Sequence, residues 1–92
     1  MNTTKIAKTF SSLRISSYDF INNELVKVLV SPTVYVRDNH VVISAEDGKC
    51  LADYYGECNK GYPYIHPALE AAAAKFGGYL EWNNPGELSF CV

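Results

Sequence analysis

Apolar positions along this chain change period several times. Between residues 17 and 32, Phe20, Ile21, Leu25, Val28 and Leu29 fall at helical spacing, with Ser17 placed as an N-cap and Pro32 as a stop. This predicts a helix over residues 18–29, although the valine-rich VKVLV inside it also suits a strand. From Val34 the period becomes two. Val34 and Val36, then Val41 and Ile43, alternate about Asp38-Asn39, which predicts a β-hairpin. Asp47-Gly48 gives a second tight turn, and KCLADYY reads as a third strand completing a meander. GECNKGYP has no period and reads as loop. Pro67 suits the first position of a helix, with His66 as N-cap and Gly77 as a left-handed C-terminal residue. YLEW and ELSFCV, joined by NNPG, are the last strands. Leu80 and Trp82 share one face of the first; Leu88, Phe90 and Val92 share one face of the second.

Residues 1–16 contain Ile6, Phe10, Leu13 and Ile15 among Ser, Thr and Lys, and read as a loosely held arm or a short strand. The expected fold class is α+β. A single antiparallel sheet of about five strands carries two helices packed on it. Residues 1–92 form one domain, with 1–16 as a basic N-terminal arm. No internal repeat or low-complexity run is present.

Charge changes this picture modestly. The net charge is −2. Residues 1–16 hold Lys5, Lys8 and Arg14 and no acid, a charge of +3, so residues 17–92 carry −5. A basic end on an acidic body can meet phosphates or an acidic protein face, whereas a net charge this small makes the chain a poor global mimic of DNA. The three cysteines are odd in number, and MNTTKIAKTF lacks the apolar stretch of a secretory signal, so reduced thiols and a cytosolic location are expected. The longest apolar runs are far too short to span a bilayer.

Candidate chemistry concentrates in YYGECNKGYPYIHPALE, which holds four of the seven tyrosines. Cys58 as nucleophile, His66 as base and Glu57 as orienting group would compose a catalytic set, but nothing in their spacing is specific. Cys50, Cys58, His66 and Cys91 contain no close ligand pair, so no metal is expected. Phosphate-binding glycine loops and EF-hand ligand series are also missing, and no cofactor or small-molecule substrate is implied. Tyr62 and Tyr64, alternating around Pro63 near Lys60, suit stacking on bases or anchoring in a protein interface. The plainer reading is a strand-to-helix joint padded by aromatics.

The stretch DYYGE followed by GYPYIHPALEAAAAKFGGYLEWNNPG covers residues 53–86 and resembles small proteins encoded by phages and mobile elements. Its features are Tyr54-Tyr55, the Gly61-Tyr62-Pro63 turn, the helix from Pro67 and the segment from Trp82 to Gly86. With the chain's length and Lys/Ser-rich start, it resembles the phage-encoded anti-CRISPR proteins that act on type I-F systems. The resemblance implies a non-enzymatic inhibitor in the bacterial host cytoplasm. Such a protein binds Cas proteins of the crRNA-guided surveillance complex and keeps target DNA from binding. Lys5, Lys8, Arg14, Arg37, Lys60, Tyr62 and Tyr64 are then the candidate partner-binding residues, with Lys5, Lys8, Arg14 and Lys60 near crRNA. The alternative is a stand-alone nucleic-acid-binding accessory protein of a phage or mobile element, using the basic arm and the Tyr62/Tyr64 pair.

Overall fold

In the computed structural model, which describes residues 2–56 and 63–92, the chain begins with a helix, α1 (Thr3–Ser11). Asn2 caps it, its side-chain oxygen accepting from the Lys5 N–H at 3.0 Å. Ile6 and Phe10, four residues apart, are buried, and Ala7 and Leu13 pack beside them. The expected arm is therefore a packed helix. The apolar positions 6, 7, 10 and 13 are a helical stripe once Asn2 is recognised as its start.

The helix expected over residues 18–29 is instead a β-hairpin. Strands β1 (Ile15–Ile21) and β2 (Glu24–Val30) pair antiparallel over their full length, from Ile15↔Val30 to Ile21↔Glu24. Asn22 and Asn23 make the turn with φ of 53° and 65°. Asparagine tolerates this left-handed region, and two such residues in succession set the twist a tight hairpin needs. That turn overrides the coincidental helical spacing of Phe20, Ile21, Leu25, Val28 and Leu29.

The hairpin predicted from Val34 is present as β3 (Val34–Arg37) and β4 (His40–Ser44), turning at Asp38 and Asn39 with φ of 50° and 67°. The expected meander stops there. Only Ala52 and Asp53 of KCLADYY are extended, as β5 (Ala52–Asp53), and they pair with β6 (Tyr64–Ile65) in a separate two-stranded sheet. Gly48 and Cys50, with φ of 76° and 57°, turn the chain away before a third strand can continue the sheet. The place beside β4 is taken by β8 (Glu87–Cys91), through Val42↔Ser89 and Ile43↔Leu88. β7 (Tyr79–Asn84) adds at its far edge, so the main sheet runs β3-β4-β8-β7. The α+β class with two helices holds. The single five-stranded sheet is replaced by eight strands in three antiparallel sheets among the described residues.

Helix α2 (Pro67–Lys75) starts as expected, with Pro67 at its first position and the His66 Nδ1 accepting from the Ala68 N–H at 3.0 Å. It closes with Gly77 at φ 76°. The Gly77 N–H donates to the Ala74 carbonyl at 2.9 Å and the Gly78 N–H to the Ala73 carbonyl at 3.0 Å, a Schellman closure.

Both helices lie on one face of the main sheet, α1 against β3 and β4 and α2 against β7. Between them lie Val41, Ile43, Leu88 and Phe90 from the sheet, with Leu51, Leu69 and Ala73. Phe10, Phe76 and Phe90 stand at the centre with ring centroids 6.0 to 6.2 Å apart. Leu80 and Trp82 share one face of β7, as expected, and Leu88 and Phe90 one face of β8; all four pack in or against the core, whereas Val92 is exposed. Cys50 is disulfide-bonded, where a reduced thiol was expected. Pairing follows Cβ proximity in space, which sequence spacing does not show.

Candidate partner-binding surface

The predicted contact residues occupy three separate places. Lys5 and Lys8, three apart on α1, share one side of the helix and are exposed, because Ile6 and Phe10 hold the other side in the core. Arg14 follows the helix and is exposed too. No acidic residue lies in α1, and among the described residues none of these three cations is in an ion pair. Lys5 and Lys8 thus make a basic side on a helix held by the core, and Arg14 adds a third exposed cation just past its end.

Arg37 sits elsewhere, on the sheet face that carries no helix. Its guanidinium donates to the Glu87 carboxylate at 2.6 Å and lies 5.8 Å from the Tyr35 ring centre. The Tyr35 hydroxyl donates to the same Glu87 oxygen at 3.3 Å, and Asn84 donates to the other at 3.0 Å. The Arg37 hydrogen bond, with those from Asn84 and Tyr35, holds the Glu87 carboxyl below its ordinary range, and Glu87 in turn raises Arg37. Arg37, Asn83 and Ser89 line the hollow around Val42, which is only 1% exposed although it faces away from both helices. Arg37 is thus bound to a local network, unlike the α1 cations.

Lys60 and Tyr62 lie outside the described residues, as do Glu57 and Cys58. Tyr64 is half-buried on β6, edge-on to His66 with centroids 6.4 Å apart, and burial raises its phenol. The joint reading suits Tyr64 better than a free stacking platform. His66 commits Nδ1 to capping α2, which removes that nitrogen from use as a base. Burial, then the neighbouring Glu81 carboxylate 3.5 Å away, pushes the Cys91 thiol up, away from the thiolate form a nucleophile needs. Among the described residues no group of three His, Cys, Asp or Glu side chains could hold a metal ion, and no helix is long and apolar enough to cross a membrane.

Two surfaces went unread in the sequence. Tyr54 stacks edge-on between Tyr55 and Trp82, with both centroid distances 5.3 Å, and Tyr55 is well exposed. The paired tyrosines signalled this surface, but their contact with Trp82 depends on tertiary structure. The second surface is the β1–β2 hairpin, which exposes Tyr18, Ile21, Leu25 and Leu29. Its signal was the alternation of Val26, Val28 and Val30, which leaves Leu25 and Leu29 on the opposite face.

No family model matches the chain, and neither the curated proteins nor the solved structures contain a match.

Proposed function

We propose that this protein is a non-enzymatic inhibitor that binds Cas proteins of a type I-F crRNA-guided surveillance complex and prevents target DNA from binding. The observation that carries the reading is the basic face of α1. Lys5 and Lys8 project from a helix fixed by Ile6 and Phe10, Arg14 follows just past its end, and no described acid is paired to them. Cations held this way gain from phosphate contact without losing much side-chain support, and crRNA on the complex presents such phosphates. The exposed apolar hairpin adds a surface suited to a protein subunit. The occupied His66 Nδ1 and the raised Cys91 thiol favour contact over catalysis. Action in the bacterial cytoplasm belongs to this reading, and the Cys50 disulfide would there face a reducing environment.

The test is a gel shift with a purified type I-F complex and its target DNA. The protein is added before the DNA in one series and after it in another. Loss of the shift only when the protein comes first is the expected result. No effect in either order removes the proposal and favours the second reading, a stand-alone nucleic-acid binder resting on the same three cations. That reading requires direct binding to single-stranded RNA or DNA that weakens steeply with salt.

A further inference from the structure

The β1–β2 hairpin stands apart from the body. Its two strands contact each other extensively and pack little on any other element. The molecule measures 44 × 24 × 20 Å, and its radius of gyration of 13.1 Å exceeds the roughly 12 Å of a compact chain this long. The root is clamped. Ile15 and Ser17 are buried, the Ser17 hydroxyl donates to the Lys49 carbonyl at 3.1 Å, and the Lys49 ammonium donates to the Ser31 carbonyl at 2.7 Å. Beyond the root Tyr18, Ile21, Leu25 and Lys27 are exposed.

Register places Tyr18, Leu25, Lys27 and Leu29 on one face, with Tyr18 opposite Lys27. Tyr18, Leu25 and Leu29 are 57%, 60% and 63% exposed. Ile21, near the tip, points to the other face and is 47% exposed. Exposed apolar side chains thus lie on both sides of the outer ribbon, with Glu24 opposite Ile21, a shape that gains more from entering a cleft than from lying on a flat surface.

Charge and area identify the occupant. Seven-residue strands make a face about 20 Å long and roughly 200 Å² in footprint. A stable protein interface needs about 800 Å² from each partner, so one face alone does not hold two copies together, whereas insertion in a cleft engages both faces of the ribbon and can add to a contact made by α1. Face-to-face pairing of two copies would also bring Lys27, in the middle of the patch, towards its own counterpart. Nucleic acid is a poor occupant as well, because the face offers one cation among three large apolar groups and Glu24 flanks the tip. A protein cleft with apolar walls and a carboxylate within reach of Lys27 matches every one of these features.

We propose that the β1–β2 hairpin inserts into such a cleft on a protein subunit of the partner, with Tyr18, Leu25 and Ile21 buried in it and Lys27 paired to an Asp or Glu side chain of its wall. The inference rests on the function proposed above and assigns its protein contact to a specific element.

The experiment measures affinity for a purified, crRNA-loaded type I-F complex by biolayer interferometry. The samples are the unaltered chain, the Tyr18→Ser/Leu25→Ser double variant, Lys27→Glu, and Glu70→Gln on the exposed side of α2 as a control. Thermal melts confirm that each variant is folded. The double variant is expected to weaken binding about 30-fold or more, as loss of two interface anchors does. Lys27→Glu is expected to weaken it about 10-fold by setting like charges together. Glu70→Gln should bind as the unaltered chain does. A photo-crosslinker at position 25 is expected to label a protein subunit. Unchanged affinity of both hairpin variants, or crosslinks to RNA alone, overturns the inference while leaving the proposed function standing. Sedimentation showing a dimer that the double variant abolishes overturns it in favour of self-association. Failure of the unaltered chain to bind the complex overturns both.

Discussion

At Gly78 the backbone leaves no room for a side chain. A Cβ added there would collide with the Cys91 carbonyl oxygen and lie 2.6 Å from the Phe90 ring. Backbone cannot yield as a flexible side chain does, so Gly78→Ala should cost about 2 kcal/mol in urea unfolding. His66 offers a gentler case. His66→Ala removes the acceptor for the Ala68 N–H and should cost about 1 kcal/mol, while His66→Asp, itself a good N-cap, should restore most of it. Glu87 makes a pH-dependent contribution. Its carboxyl is held below its ordinary value, so the unfolded chain takes up the proton first as pH falls. The stabilisation is fully present above the unfolded pKa, near 4.5, and is lost as pH drops through the lower folded value. The stability gap between the wild type and Glu87→Gln should therefore be open at pH 7 and close as the pH falls below 4. Equal gaps at both pH values would show that the Arg37 network does not distinguish the two protonation states.

At the scale of elements, turn residues decided more than apolar spacing did. Asn22-Asn23 supplies two consecutive left-handed residues, and these make β1 and β2 a hairpin although five apolar side chains around them fit a helical face. Asn23→Gly should raise stability by some tenths of a kcal/mol, and Asn23→Val should lower it by about 1 kcal/mol, because a β-branched side chain tolerates this conformation poorly. Asp38-Asn39, Pro67, His66 and Gly77 were legible because each acts through its own backbone or its nearest neighbours. α1 was missed for a related reason. Its stripe is short, and its start is fixed by Asn2, whose capping role shows only when the Lys5 N–H is found on its side chain. The third strand of the expected meander was lost to a competitor far away in sequence. Nothing local to KCLADYY indicates that β8 will take the edge of β4. The candidate surface divides in the same way. The charges of Lys5, Lys8 and Arg14 were readable. The capture of Arg37 by Glu87, fifty residues on, was not.

For the whole molecule, the core phenylalanines Phe10, Phe76 and Phe90 tie the N-terminal helix to the rest. Phe10 is fully buried between Phe76 and Phe90. Phe10→Ala should cost about 3–5 kcal/mol, a large share of the roughly 5–15 kcal/mol available to a domain. Deletion of residues 1–12 should consequently abolish the cooperative thermal transition, where removal of a loose arm would leave it intact. Contacts of the basic face with any partner are better tested by Lys5→Gln and Lys8→Gln, which spare the core.

The place of β8 has a consequence for the making of the protein. It lies between β4 and β7, so an inner position of the main sheet is filled by residues 87–91. While a ribosome is still translating what precedes them, the nascent chain can already form its first two hairpins. The β4 segment HVVIS then displays an open apolar edge with no strand to cover it. The newborn domain is most exposed to aggregation in that interval, and holdase chaperones have their greatest opportunity then. A premature stop codon only a few triplets before residue 87 would be as damaging as one near the middle of the gene, because the sheet would be left with a gap rather than a shortened margin.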